Sequence, residues 1–440
     1  DSGGGAGIQA DLKTFAMHGV YGASVITALT AQNTREVAGI HAPPARFVAQ
    51  QLDAVLSDIP FQAAKTGMLF SAPIIRAVAS RLEARPFPLV VDPVCVAQSG
   101  GRLLEDSAMG AMRDLIFPLA DLLTPNRPEA EYFTGLKIER AEDIAEAAEK
   151  LLAMGPKAVL IKGGHMRDSV AVTDWLCTPG DKPLALMQQR VRTNNNHGTG
   201  CTLSAAIAAN LAKGLTMAEA VRAAQRYLNL CLRAAFDLGQ GSGPANHLAP
   251  MLKAQARARV LERLSDLGRG LAAIPGLAKL APEVRMDPVL AAPLATGPED
   301  VAGFTGRLAA TRRGELLLGG CPEFGASANM AAVLLSARKV REGVECAVNI
   351  RHDDEVLAAL GETGAELAWL DRAAEPGASP GREAATLEWA VCRALNDHPH
   401  PDRVVAVCDP GADGVEAQVY LLADRPEDLP ERLMALLAAL

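Results

Sequence analysis

What the chain lacks narrows its class first. No apolar run among its 440 residues approaches the ~18 needed to span a bilayer, so no membrane partner is expected. Lysine and arginine are scattered among acids and nowhere gather into a basic patch, while the net charge is −8. A nucleic-acid partner would need such a patch, so none is expected either. The eight cysteines (Cys95, Cys177, Cys201, Cys231, Cys321, Cys346, Cys392 and Cys408) include no C-x-x-C pair. Their spacing argues against a zinc site and against a disulfide framework, and free thiols in a cytoplasmic protein are the simpler reading. Internal repeats, low-complexity segments and a signal-peptide pattern are also missing. The chain opens without methionine, at Asp1 of DSGGGAGIQADLK, in the middle of a strand-to-helix turn. A β-strand is expected to precede it.

What is present is ample material for a core: 49% of residues are hydrophobic and 21% charged, over a length that suits two domains. Up to about residue 250, short apolar runs alternate with longer amphipathic ones. SVITALT (24–30), AKTGML (64–69), LVVDPV (89–94), ADLLTP (120–125) and AVLIK (158–162) read as buried strands. Residues 45–58, 72–84 and 141–154 carry apolar positions at helical spacing. This alternation predicts an α/β fold, a mainly parallel sheet with helices on both faces, whose ligand lies beyond the carboxyl ends of the strands. Asp92, Asn126 and Lys162 stand at such ends. A long helix over 216–236 and the segment GQGSGPANH (239–247) close the unit. Beyond His247 the alternation stops, and 251–268 reads as a charged amphipathic helix. The expected division is therefore 1–250 and 251–440, the second part having its own strands (ELLLGG, ECAVNI, RVVAVCD) and its own α/β core.

Residues 194–201, NNNHGTGC, run straight into the helix TLSAAIAANLAKG. A helix N-terminus offers unpaired N–H groups and partial positive charge, and HGTG lets the backbone close around an anion there. The asparagines and His197 add donors, which suits a transferring phosphoryl group. A plain helix cap beside a loop would use the same residues. Three further features weigh on the choice. In SGGGAGIQADLKTF (2–15) glycines enter a helix carrying Asp11, which could accept a hydrogen bond from a substrate or merely complement the helix dipole. In TPNRPEAE (124–131) Asn126 and Glu129 share one side of a helix start, suited to magnesium through its waters or to a capping box. In IKGGH (161–165) Lys162 could reach a nucleotide phosphate or lie solvated at a turn. Four anion- or metal-competent features at strand ends of one domain favour the functional reading.

The residues that carry these features, with GVYGASVITALTAQNT (19–34), KTGML (65–69), VDPV (91–94) and HGTGCTLSAA (197–206), resemble the bacterial hydroxymethylpyrimidine and phosphomethylpyrimidine kinases of the ribokinase superfamily, over residues 1 to about 247. The resemblance implies ATP-dependent phosphorylation of 4-amino-5-hydroxymethyl-2-methylpyrimidine and then of its monophosphate, in thiamine diphosphate biosynthesis. It places Asp11, Gln32 and Met68 on the pyrimidine. Asn126 and Glu129 serve Mg²⁺ with Asp92 close by, and Lys162, His197 and Thr199 lie near ATP phosphates. Gly198, Thr199, Gly200 and Cys201 form the anion hole. Cys201 stands where much of the superfamily has an aspartate base, and at a helix N-terminus its thiol pKa is expected to fall. The family's Asp-Pro-Ser-Gly-Gly is Asp-Ser-Gly-Gly-Gly here. Pyridoxal-type kinase activity is the runner-up, because the same fold accepts related hydroxymethyl heterocycles.

In the second part GCPEFGASANMAAVLLSARK (320–339) again turns into an apolar helix, AVNIRHDDEV (347–356) places Arg351 past a strand, and FTGRL supplies Arg307. LDRAAEP (370–376) and TLEWA (386–390) add acids and a tryptophan near helix starts. As a set these resemble the archaeal-type thiamine-phosphate synthase domain, over roughly 255–440. That implies phosphate binding by Arg307, Ser327, Asn329 and Arg351, with thiazole phosphate or thiamine phosphate as the small-molecule partner. Two departures stand out: Asn329 replaces the family's histidine, and Val415 its lysine. A working synthase and a non-catalytic thiamine-phosphate sensor both stay open. His352 could stand in for the missing histidine, or could be an ordinary strand-end residue. The expected assembly is a homo-oligomer.

Overall fold

Leu89, Val90 and Val91 show how the first sheet is built. All three are fully buried, yet Leu89 and Val91 pack into one apolar cluster with Val48, Ile75 and Leu151, while Val90 packs into another with Leu203, Ile207 and Val221. Side chains alternate across a strand, so a strand buried on both faces sits between two helical layers. The computed structural model describes residues 1–95, 106–164, 171–374 and 383–440. The chain divides into two units, Asp1–Met251 and Leu252–Leu440.

In the first unit the elements run α1 (Gly7–Met17), β1 (Leu29–Gln32), β2 (Val37–His41), α2 (Ala45–Leu56), β3 (Ala64–Thr66), α3 (Ala72–Leu82), β4 (Leu89–Val91), α4 (Asp106–Ala111), β5 (Leu122–Leu123), α5 (Arg127–Thr134), α6 (Asp143–Leu152), β6 (Val159–Ile161), β7 (Ala171–Cys177), β8 (Leu184–Gln189), α7 (Thr199–Ala212) and α8 (Met217–Arg233). The sheet order is β3-β4-β5-β6-β7-β8, parallel through β6 and antiparallel beyond it. Helices α2, α3 and α6 cover one face, and α7 with α8 the other.

SVITALT does not form a buried strand of this sheet. Its strand starts only at Leu29 and pairs antiparallel with β2 as a separate hairpin. The backbone before it is satisfied by side chains: Gln51 bonds both the N–H and the C=O of Ile26, and Thr27 donates to the carbonyl of Met68. Asn33 closes the hairpin by accepting the N–H groups of Arg35 and Glu36. Gln51 and Met68 lie 25 and 41 residues from their partners, too far along the chain for a local apolar pattern to reveal.

Helix α9 (Ala249–Ala272) starts at the division. There follow β9 (Val289–Ala291), β10 (Val301–Phe304), β11 (Leu308–Ala310), β12 (Leu316–Leu318), β13 (Pro322–Phe324), α10 (Ala328–Val340), β14 (Cys346–Arg351), α11 (Asp354–Glu362), β15 (Glu366–Trp369), α12 (Glu383–Asn396), β16 (Val404–Asp409), β17 (Gln418–Ala423) and α13 (Asp428–Ala439). A seven-stranded sheet, β13-β10-β9-β14-β17-β16-β15, is antiparallel except at β15–β16. It too is buried on both faces: Val348 and Leu421 pack with Leu264 and Leu433, whereas Ala347 and Leu422 pack with Val333 and Val391. The run ELLLGG lies outside this sheet, as β12 in a hairpin with β11. No described helix is long and apolar enough to cross a membrane.

Candidate active site

Two glycine loops meet at the start of α7. Gly198 caps the helix with φ +83°, a conformation that disfavours side chains, and a Cβ there would stand 1.8 Å from the carbonyl oxygen of Gly5. The first loop is organised by Asp1. Its Oδ1 accepts the Gly3 N–H at 2.7 Å, and its Oδ2 accepts those of Gly5 and Ala6 at 3.2 and 2.9 Å. The same Oδ2 lies 2.8 Å from His197 Nε2. Burial holds that imidazole below its usual pKa. His197 therefore ties one loop to the other, a role its expected placement beside ATP phosphates had not included. The asparagines are committed in the same way. Asn195 Oδ1 accepts from the Gly243 N–H, and Asn196 Oδ1 from the Ser242 hydroxyl at 2.7 Å. Through these oxygens they hold the 239–247 segment, while Asn196 also lines the cleft.

Cys201, in the first turn of α7, accepts the Gly7 N–H at its sulfur, 3.3 Å away. Its thiol is not lowered as a helix N-terminus alone would dictate. Burial pushes it up, and of its charged neighbours Lys65 opposes the rise while Asp11 and Asp92 add to it. Asp11 is likewise not a free acceptor: Lys65 Nζ lies 3.0 and 3.2 Å from its two oxygens. Burial raises the Asp11 carboxyl, and Lys65 pulls it back. Lys65 was missed as a site residue. A charged residue inside the apolar strand β3, needing a buried partner, was the available signal.

At the far ends of β4 and β6, Lys162 Nζ bonds Asp92 Oδ1 at 2.9 Å. The first turn of α7 rests against this pair, since a Cβ on Gly200 would lie 3.2 Å from Asp92 Oδ2. Asn126 and Glu129 form the capping box of α5: Asn126 Oδ1 accepts the Glu129 N–H at 2.9 Å, and Glu129 Oε2 accepts the Asn126 N–H at 2.8 Å. The capping role, left open on sequence, is thus present, and it occupies the Asn126 oxygen. Glu129 is pushed up to about 7, first by burial and further by Asp92, against the pull of Lys162. A carboxylate raised by burial and by a neighbouring aspartate suits a divalent cation completed by phosphate oxygens and water. No cluster of three His, Cys, Asp or Glu ligands occurs among the described residues. His165 lies outside the described residues. Gln32, whose N–H and C=O both bond the Ser2 hydroxyl, and Met68 line one cleft of about 1600 Å³ together with Asp11, Glu129, Lys162 and Cys201.

In the second unit, Arg307 and Ser327 converge on a residue the sequence reading passed over. Asp287 Oδ2 takes the Ser327 hydroxyl at 2.6 Å and Arg307 Nε at 3.2 Å. Arg307, at φ +59°, also donates to the Val284 carbonyl at 2.9 Å. Asn329 lies half-buried in the first turn of α10. Arg351 does not stand ready for phosphate, because Asp353 and Glu355 at the start of α11 engage its guanidinium. His352 packs edge-on against Trp369, and its Nε2 is buried without a partner among the described residues. Val415 closes a tight turn with Ala412. Within LDRAAEP, Arg372 bonds the buried Asp409 at 2.7 Å, while residues 375 and 376 lie outside the described residues.

A helix N-terminus, buried lysine–aspartate pairs and a cation-ready carboxylate around one cleft define a phosphotransferase of the α/β class. Residues 1–246 match the family model described as phosphomethylpyrimidine kinase, and the chain belongs to that family. Residues 263–435 match the model of thiamine-phosphate synthase ThiN, so a synthase-type domain follows the kinase domain. The thiamine biosynthesis bifunctional protein ThiED of Geobacter sulfurreducens is 51% identical over 249 residues, 56% of this chain; the chain spans 50% of that protein's length. The hydroxymethylpyrimidine/phosphomethylpyrimidine kinase of Synechococcus elongatus is 47% identical over 57% of this chain and 95% of its own. Among solved structures, an ADP complex of Bacillus subtilis pyridoxal kinase aligns with TM-score 0.53 and 34% identity, over 57% of this chain and 95% of that one.

Two measurements follow from this geometry. Gly198→Ala should lower kcat by about 100-fold, the scale of losing an anion-hole donor, because the loop must move away from Gly5. Steady-state kinetics with the folded variant checks it. Glu129, raised from 4.5 to about 7, binds its proton more tightly in the folded than in the unfolded chain, so its contribution to stability is lost as pH rises across that window. Glu129→Gln keeps an acceptor for the cap and should add about 1–3 kcal/mol above pH 7 and little below pH 4.5. Urea unfolding at pH 4.5 and 8 reads the difference.

Proposed function

We propose that residues 1–251 act as the kinase domain, and that they transfer the γ-phosphoryl group of ATP to hydroxymethylpyrimidine and then to its monophosphate. The observation that carries this reading is the convergence of the Gly198–Cys201 turn, the Lys162–Asp92 pair and Asp11 on one cleft. Asp11, Gln32 and Met68 hold the ring, and Lys162 with the Gly200 and Cys201 amides faces the phosphates. The substrate hydroxyl oxygen bonds to the γ-phosphorus, the bond to the ADP oxygen breaks, and the hydroxyl proton passes to Cys201 in its minor thiolate form, which becomes the thiol. Mg²⁺, when bound by Asp92 and Glu129, supplies charge neutralisation for the phosphates. Because burial raises the thiol, little thiolate is present at neutral pH, and fixed dipoles carry the larger share of the rate. Cys201→Ala should therefore lower kcat by about 100-fold, within the range of general-base help. The likeness to a pyridoxal kinase supports a second reading, in which pyridoxal is the preferred alcohol. Side-by-side turnover of the two alcohols decides between them.

For residues 252–440 we propose a phosphate site at the start of α10, built from Arg307, Ser327 and Asn329. It would hold thiamine phosphate, or the thiazole phosphate that is joined to the pyrimidine diphosphate with release of pyrophosphate. Asparagine cannot carry a proton and Val415 brings no cation, so binding without efficient joining is the expected behaviour. Calorimetric titration of the full chain with thiamine phosphate should show binding. An assay with the two synthase substrates should show slow or no product, and rapid product formation would make the chain a kinase and synthase in one.

A further inference from the structure

Phosphoryl transfer as described leaves Lys65 without a task. Its side chain is 6% exposed, and that of its partner Asp11 is 13% exposed. Removing two charges from water costs several kcal/mol each, and apolar residues of similar volume often serve stability as well or better. A buried pair in the wall of a substrate cleft therefore calls for a use beyond folding.

The backbone shows what the pair faces. Gly7 and Asp11 are four residues apart on α1, hence on one side of the helix. The Gly7 N–H is bonded to Cys201 Sγ, and the Asp11 carboxylate is bonded to Lys65 on β3. Gly67 leaves room for the ammonium, since a Cβ there would lie 3.3 Å from Lys65 Nζ. The charged side chains acting on the sulfur are Lys65 from β3, Asp11 from α1 and Asp92 after β4, and the Asp1 amino group acts on it as well. Lys65 is the one cation among the three side chains.

We propose that Lys65 is a positioning residue of the kinase reaction, tying the Asp11 carboxylate of α1 to β3 and supplying the positive charge that lets Cys201, as thiolate, take the substrate's proton. The proposal rests on the reading of Cys201 as the proton acceptor. Without the ammonium, two carboxylates and a dry environment all oppose negative charge on the sulfur, so the loss falls on the chemical step and not on ATP binding. Arginine retains the charge but not the point geometry of an ammonium, and restores only part of the rate.

The test is a cycle in the full chain comprising Lys65→Met, Cys201→Ala, the double variant, and Lys65→Arg. Kinetics are measured with hydroxymethylpyrimidine and ATP, and melting temperature reports folding. Lys65→Met is expected to lower kcat by about 100-fold with the KM for ATP changed less than about twofold, since only transition-state stabilisation is removed. Lys65→Arg is expected to recover about tenfold of that loss, and the double variant to be no slower than the slower single one, as for residues acting as a unit. Multiplied losses in the double variant would overturn the proposal while leaving Cys201 as the base. Wild-type kcat in Cys201→Ala would remove the base reading and the proposal with it. If Lys65→Met fails to fold, the same cycle is run on Asp11→Asn, which removes the uncompensated carboxylate. There Lys65→Met must again slow kcat when Cys201 is intact and leave it unchanged when combined with Cys201→Ala; an equal loss in both overturns the proposal.

Discussion

The cleft of the first unit depends on one contact, that of Gly198 with the backbone of Gly5. Any side chain at position 198 would occupy the space of the Gly5 carbonyl, so the two loops interlock only through glycine. The contact fixes where α7 begins, and with it the direction of its free N–H groups. Asp1 and His197 hold the contact from the side, by a hydrogen bond that joins residues 196 positions apart. Asn195 and Asn196 hold it from the other side through the 239–247 segment. A loop of flexible residues becomes a fixed dipole array because long-range bonds use up its freedom. Preorganisation of this kind is what stabilises charge developing during phosphoryl transfer.

Charge in the cleft is handled by pairing. Lys65 with Asp11 lines it, and so does Lys162 with Asp92; Glu129 is left beside the second pair with its carboxyl raised. Two of the cleft's acids are thus each matched by a lysine, while Glu129 stands as an excess carboxylate near Asp92. Burial acts the same way on Cys201, pushing its thiol up. The helix N-terminus does not overcome desolvation here, because the sulfur is buried and two carboxylates stand near it. Pattern-based expectation weighs the dipole and cannot weigh the burial.

That difference explains what was legible in the sequence. Alternating apolar runs marked most strands of the first sheet, and the polar residues at their ends, Asp92 and Lys162, do meet at the site. The glycine-rich octet does run into a helix, α7, with Gly198 at its cap. Partners were not legible. Nothing local to Lys65 names Asp11, 54 residues away, and nothing in Met-Asp-Pro marks Asp287 as the residue on which Arg307 and Ser327 converge. The hairpin of β1 and β2 and the antiparallel strands β7 and β8 escaped for a related reason. Their burial is partial and their pairing depends on neighbours that periodicity does not encode.

The second unit uses the same devices with a different balance. Asp287 satisfies an arginine and a serine, as Asp11 satisfies a lysine, and a helix N-terminus again lies close by. Its other arginine, Arg351, is already neutralised by two acids of α11, and Asn329 and Val415 supply no charge. Binding a phosphate monoester needs few donors, whereas expelling pyrophosphate needs cations placed where charge accumulates. A site with one presented arginine and a helix N-terminus meets the first requirement better than the second. The same physics thus underlies both proposals, phosphoryl transfer in the first unit and binding ahead of joining in the second.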